Sequence, residues 1–151
     1  MQLKRPVLAQ ALFESPEMAL RYPGEIELRR DGSNEGDGRG FDNMDPSAEA
    51  WRTIASADSA TLVAAWFEHQ LLALGWAAKG RGWFGRAEIE SFRVRVDRDH
   101  GVSRVASTIT DPKNQRIQDE FERWWYAGAP AGWSVLTLSY LVAADVVARG
   151  S

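Results

Sequence analysis

Hydrophobic positions recur along this chain at two different periods, and each change of period marks an element. In DSATLVAAWFEHQLLALG, Val63, Phe67, Leu71 and Leu74 return at helical spacing, with Leu62 and Trp66 widening the stripe. Asp58 can accept from the free amides of a first turn and Gly75 can stop the last, so a helix is predicted between them. In SFRVRVD, at 91–97, the period drops to two: Phe92, Val94 and Val96 point one way, Arg93 and Arg95 the other. DRDHG supplies a turn, and VSRVASTIT at 102–110 is expected to return antiparallel.

Weaker patterns fill in the rest. EIELRR at 25–30 alternates as a strand with Ile26 and Leu28 on one face, and AWRTIAS at 50–56 reads as a second short strand. WSVLTLSYLVA, from Trp133, is apolar enough to be a central strand. TDPKNQRIQDEFERWWYAG predicts a second strong helix, capped by Asp111, with Pro112 at its first position and Ile117, Phe121 and Trp124 sharing its core face. Residues 7–22 read as helical, with Val7, Leu8, Ala11 and Leu12 on one side, interrupted by Pro16 and ended by Pro23. Short strand connections favour antiparallel pairing, and a strong amphipathic helix needs a sheet face to cover. The expected fold is α+β: an antiparallel sheet of about five strands with two or three helices packed mainly on one face.

Length and composition narrow the class without naming a function. At 151 residues the chain is expected to form a single domain over 1–151, with an N-terminal helical segment at 1–22, a flexible loop at 31–49 and a frayed tail at 147–151. A net charge of −3 and a pI near 5.4 argue against nucleic acid as the main partner. With no cysteine, thiolate nucleophiles, disulfides and cysteine-held zinc are excluded, and the redox compartment stays open. The start, MQLKRPVLAQALF, is read as neither a signal peptide nor a membrane span, so a cytoplasmic location is expected.

RYPGEIELRR, DSATLVAAWFEHQLLALGW and SFRVRVD together resemble a loosely defined set of small bacterial domains of unknown function. In that set a Tyr-Pro-Gly, often followed by Ala, opens the first strand, and an Asp-Ser…Val-x-x-Trp-Tyr…Gly-Trp phrase forms the helix. The matching residues are Tyr22, Pro23 and Gly24, then Asp58, Ser59, Val63, Trp66, Phe67, Leu71, Gly75 and Trp76. Glu25 stands where the pattern has alanine, and Phe67 where it has tyrosine. The resemblance spans about 20–110 and implies a small non-enzymatic module.

Candidate chemistry is sparse. In DGSNEGDGRGFDNMD, Asp31, Ser33, Glu35 and Asp42 fall near calcium-loop positions, but Arg39 occupies a ligand-bearing one and strands flank the stretch, so a solvated loop is the preferred reading. DRDH at 97–100 collects acids and a histidine that suit a tight turn as well as a metal, and His69 lies among polar neighbours of the first strong helix. No metal or cofactor is implied. KGRGWFGR, with Arg93, Arg95, Arg98 and Arg104, interleaves Trp83 and Phe84 among cations, although Glu88, Glu90, Asp97 and Asp99 blunt the field. RWWYAGAPAGW adds Trp124, Trp125 and Tyr126, either as core or as a contact surface, with Trp125 expected at the boundary. The leading reading is a non-catalytic binding or interaction module, in one version an immunity-type inhibitor, using Trp83, Phe84, Trp124, Trp125 and Tyr126. Its partner would be a protein or small-molecule ligand, without nucleic acid or membrane, and the chain would be a monomer or homodimer. The alternative is a small hydrolase built on carboxylates.

Overall fold

A computed structural model describes residues 9–33, 46–100, 102–103 and 112–143. In chain order the elements are α1 (Ala9–Phe13), β1 (Ile26–Ser33), β2 (Pro46–Ser56), α2 (Ala60–Ala73), β3 (Ala77–Gly80), β4 (Trp83–Arg86), β5 (Glu90–Asp99), β6 (Val102–Ser103), α3 (Pro112–Trp125) and β7 (Ser134–Ala143). The fold is α+β, with an open antiparallel sheet in the order β1-β2-β7-β5-β4-β3, and β6 pairing with β5 off this path. The path holds six strands where about five were expected, because β4 and the end of β3 fall in the segment read only as a basic strip. β7 is central, between β2 and β5, as its apolar run required. β1 extends through Asp31 and Ser33, and β2 begins at Pro46, so both strands run further toward the acidic loop than predicted. Residues 34–45 of that loop, 104–111 of the expected return strand, and the tail lie outside the described residues.

The inner face of the sheet carries the core. Phe92 and Val94 from β5, Leu136, Leu138, Tyr140 and Val142 from β7, and Ile54 from β2 pack under Val63, Phe67 and Leu71 of α2. These three α2 residues are fully buried, whereas Leu62 on the predicted shoulder of the stripe is 61% exposed. α2 is capped by Ser59, whose hydroxyl accepts the Leu62 amide (3.3 Å). Asp58, the expected cap, lies one residue too early and instead accepts a 2.5 Å hydrogen bond from the Tyr22 hydroxyl. Gly75, at φ +93°, ends the helix in the left-handed region. α1 also lies on this side, against Gly32. It ends at Phe13, well before the 22 predicted, and Ala11 is exposed while Ala9 and Leu12 are buried; Val7 and Leu8 lie outside the described residues.

Two bulges decide which side chains face which way. Between Glu27 and Arg29 the register slips, so Arg29 pairs with Thr53 and Leu28 is the extra residue. Ile26 lies opposite Ala55 and is 40% exposed, and Leu28 is half-buried. Between Val96 and Arg98 a second slip makes Asp97 the extra residue. Downstream of it Arg98 falls opposite Val135, and Asp99 reaches the amide of Ala60 at the start of α2 (3.1 Å).

The core also contains charges. Arg52 is fully buried on the inner face of β2, paired through both terminal nitrogens with Glu25 and donating to the Leu20 carbonyl. Glu17 is buried beside Trp76, whose indole N–H donates to it (3.0 Å), and beside Arg86 (2.5 Å). Burial alone would raise the Glu17 carboxyl, but hydrogen bonds from Trp76, the backbone and Arg86 bring it below its ordinary value. Its pairing thus stabilises the fold above the unfolded carboxyl pKa and is lost as pH falls through the folded one. Arg86 continues to Glu90 (2.8 Å) and the Tyr140 hydroxyl (3.1 Å), and burial together with Glu90 pushes Tyr140 well above the ordinary phenol range.

One glycine is fixed by close approach. Gly82 has φ +66°, its carbonyl accepts the Val94 amide (2.8 Å), and a Cβ there would collide with the Val94 carbonyl oxygen. Gly82→Ala should cost about 1–3 kcal/mol in urea unfolding, as expected for strain at a left-handed position. A loss below roughly half a kcal/mol, the range of neutral surface changes, would mean that the β3–β4 turn relaxes freely.

Candidate functional site

The outer face of the sheet is laid down in rows by the strand register. One row runs Arg29, Thr53, Thr137, Arg95 across β1, β2, β7 and β5. The next runs Asp31, Trp51, Ser139, Arg93, Trp83 across those strands and β4. α3 meets this face with its last turn, which joins polar groups of the first row to aromatic groups of the second.

Asp97 is the centre of that junction. It is 1% exposed, and it accepts from Thr137 Oγ1 (2.6 Å), Arg95 Nε (2.6 Å) and the indole N–H of Trp125 (3.1 Å). The Tyr126 hydroxyl donates to the Asp97 carbonyl (2.9 Å). A strand bulge, a threonine from the central strand and the end of a helix thus converge on one carboxylate, which is well satisfied for a buried charge.

Arg29 forms the second attachment. Its Nη2 donates to the carbonyls of Trp124 (2.9 Å) and Trp125, among the last carbonyls of α3, where a cation also suits the helix dipole. Its guanidinium lies 4.5 Å from the Trp124 ring centre and 4.6 Å from that of Trp125. Burial lowers the Arg29 pKa and Asp97 partly offsets it, which leaves the group charged at any neutral pH. Trp125 stacks with Trp51 at 5.8 Å and with Phe121 at the same separation.

Beyond that last turn the helix shows its apolar stripe to solvent. Ile117, Phe121 and Trp124 do share a face, but they are 57%, 48% and 59% exposed, so it is not the core face that the spacing suggested. The inner face is covered by α1 and α2, and among the described residues of α3 and the turn after it Trp125 and Tyr126 reach deepest toward the outer face. Trp125, expected at the boundary, is half-buried and hydrogen bonded, while Trp124, expected on the core face, projects.

The remaining candidates separate. Trp83 is 43% exposed on the outer face, its indole N–H bonded to Ser91 (3.0 Å) and Arg93 above its ring. Phe84, its neighbour, turns to the opposite face by strand alternation and is buried in the core, so it belongs to no surface site. Arg86 of the same strip turns inward to Glu17 and Glu90, which removes it from any basic patch. The acids of DRDH diverge: Asp97 serves α3, Asp99 serves α2, and His100 sits exposed at φ +48° with its amide donating to Ser134. His69 is exposed on α2. Among the described residues no group of three or more His, Cys, Asp or Glu could hold a metal ion, and no helix is long and apolar enough to cross a membrane.

Reading residues singly missed Arg29, Trp51 and Thr137. Each lies on a polar or mixed face of its strand, and only the pairing of β1, β2 and β7 brings them to Trp125 and Asp97. Comparison with protein-family models, with curated protein sequences and with solved structures finds no match.

Proposed function

We propose that this protein is a non-catalytic interaction module that contacts a protein partner through the outer face of α3. The observation that carries this reading is the exposed stripe of Ile117, Phe121 and Trp124, displayed by a helix whose far end is locked to the sheet by Asp97 and Arg29. Exposed aromatic residues on a positioned element are the usual anchors of protein contacts. A convex helix face suits a protein surface, since small molecules favour concave sites. In its more specific form the reading is an immunity-type inhibitor that caps a basic partner, which the net charge of −3 favours through long-range attraction. The carboxylate-hydrolase alternative has acids bordering common recesses, Asp119 with Glu122 at an open one beside α3 and Glu68 with Asp99 at one beside α2. Asp99 commits an oxygen to the Ala60 amide and Glu68 stands exposed at the rim, an arrangement better suited to binding than to proton transfer.

Trp124→Ala is the direct test. The backbone carbonyl that Arg29 uses survives, so stability should fall by no more than about 1 kcal/mol, the worth of an exposed cation–π contact. Affinity for a purified partner, first captured with the wild-type chain, should fall by about 2 kcal/mol or more, or roughly thirtyfold. Leu62→Ala, equally exposed but on α2, is the control and should leave binding unchanged. Binding that ignores both Trp124→Ala and Phe121→Ala would end the proposal.

A further inference from the structure

On the side away from β1, the outer face of the sheet ends in a corner made by β3, β4 and the start of β5. Strand register sets its surface: Gly80 pairs with Trp83, Trp83 with Arg93, and Gly85 with Ser91. A register slip between Ala78 and Gly80 makes Lys79 the extra residue of β3. The stem of Lys79 lies over Gly85, with Cε 3.0 Å from the place a Cβ would take there. Gly85 alternates with the inward-facing Phe84, so the lysine comes onto the same outward surface as Trp83 and Arg93. Trp83 is held by its bond to Ser91 (3.0 Å) and is still 43% exposed, and the Arg93 guanidinium lies 5.5 Å from its ring centre.

Glu88, Glu90, Asp97 and Asp99 were expected to blunt these cations, and folding sends three of the four elsewhere. Glu90 turns to the inner face, to Arg86 and the Tyr140 hydroxyl. Asp97 accepts from Arg95, Thr137 and Trp125, and Asp99 reaches the start of α2 from the far end of β5. Glu88 stays exposed in the turn after β4. Among the described residues neither Lys79 nor Arg93 forms an ion pair or a side-chain hydrogen bond. Both are exposed, on a molecule whose net charge is −3.

We propose that this corner docks an extended acidic segment of a protein partner, with carboxylates on Lys79 and Arg93 and an apolar side chain on the Trp83 ring. Arg93 presents a planar fork that matches a carboxylate in two parallel hydrogen bonds, and the exposed indole supplies apolar area beside it. Lys79 and Arg93 stand on β3 and β5, two strand spacings or roughly 10 Å apart. In an extended chain, acids two positions apart project from one side about 7 Å from each other, and the long lysine and arginine stems close the difference. A polynucleotide fits less well, because it gains affinity by neutralising many phosphates, and the net charge of the molecule opposes it. The corner shares no residue with the α3 stripe, so either surface can fail its test while the other stands.

The test uses the full chain and three probes at low ionic strength, where exposed charges are least screened. They are a capped Glu-Asp-Leu-Glu-Asp-Leu-Glu peptide, its Gln-Asn-Leu-Gln-Asn-Leu-Gln counterpart and a short oligothymidylate. Amide shifts and the Trp83 indole N–H resonance are followed during titration. The acidic peptide should bind and the other two should not, with shifts confined to β3, β4 and the start of β5. Arg93→Gln and Lys79→Gln should each weaken it about two- to fivefold, as for exposed charge pairs, and Trp83→Ala by about fivefold or more. Should Trp83→Ala disturb the sheet, the double reversal Lys79→Glu with Arg93→Glu keeps the ring. That variant should lose the acidic peptide and bind a capped Lys-Arg-Leu-Lys-Arg-Leu-Lys peptide instead. Arg30→Gln, on β1 at the opposite edge of the sheet, is the control and should change nothing. The proposal is overturned if the uncharged peptide or the oligothymidylate binds as well as the acidic one, if the shifts lie elsewhere, if the double reversal still binds the acidic peptide, or if no probe binds at millimolar concentration.

Discussion

Arg52→Met should destabilise the domain by about 3–5 kcal/mol, because it removes one member of a buried ion pair and strands the other. Arg52 is fully buried, the Glu25 side chain is 5% exposed, and the guanidinium also satisfies the Leu20 carbonyl. The conservative volume of methionine keeps the packing and removes only the charge and its hydrogen bonds. The informative comparison is the double variant Arg52→Met with Glu25→Gln. Glutamine retains the oxygen that accepts the Tyr22 amide (2.7 Å) but has no charge to strand, so much of the lost stability should return. Urea unfolding of the four proteins measures the coupling directly. A single-variant loss below about 1 kcal/mol would show that the pair is hydrated and behaves as a surface bridge.

This pair also shows how far the sequence could be read. In β2 the inner-face positions run Ala48, Ala50, Arg52, Ile54, so the alternation that predicts a strand places an arginine in the middle of an apolar face. Glu25 is the residue that departs from the Tyr-Pro-Gly-Ala form of the resembling domains, and in the structure it is the partner of that arginine. Each anomaly was visible alone. Their meaning appears only when β1 and β2 are paired, since 27 positions separate them in the chain.

Periodicity succeeded where one face of an element is buried by a neighbour of its own strength. α2 shows this with Val63, Phe67 and Leu71, and β7 with its run of apolar positions at the sheet centre. It failed where a bulge shifts the count by one, because period two carries no warning of an extra residue. Leu28 and Asp97 are such residues, and each sits where α3 or the loop after it approaches the sheet. α3 itself was predicted to its first residue, Pro112, but its orientation was not. An amphipathic stripe says that a helix has an apolar side, and the rest of the fold decides whether anything remains to cover it.

Asp97→Ala should release the end of α3 and lower global stability by about 3 kcal/mol, the cost of leaving buried donors without an acceptor. Three side chains donate to this carboxylate, and their fates differ. Arg95 is 62% exposed and can turn to water, so its charge is not stranded. Thr137 is buried; with Asp97 gone it keeps a contact to Thr53 Oγ1 (3.1 Å). The indole N–H of Trp125 has no other bond in this arrangement among those described, and its stacking on Trp51 alone would have to hold the helix. The effect should therefore be graded along the chain: amides of α3 exchange much faster, while those of β7 and α2 change only with global stability. Asp97→Asn keeps one acceptor oxygen and should fall between the two. If α3 is the contact surface, Asp97→Ala should also weaken partner binding without touching an interface residue, because the stripe is no longer held in place. Unchanged exchange along α3 in Asp97→Ala would show instead that Arg29 and the tryptophan stack are sufficient to dock the helix, and that the buried carboxylate serves the sheet alone.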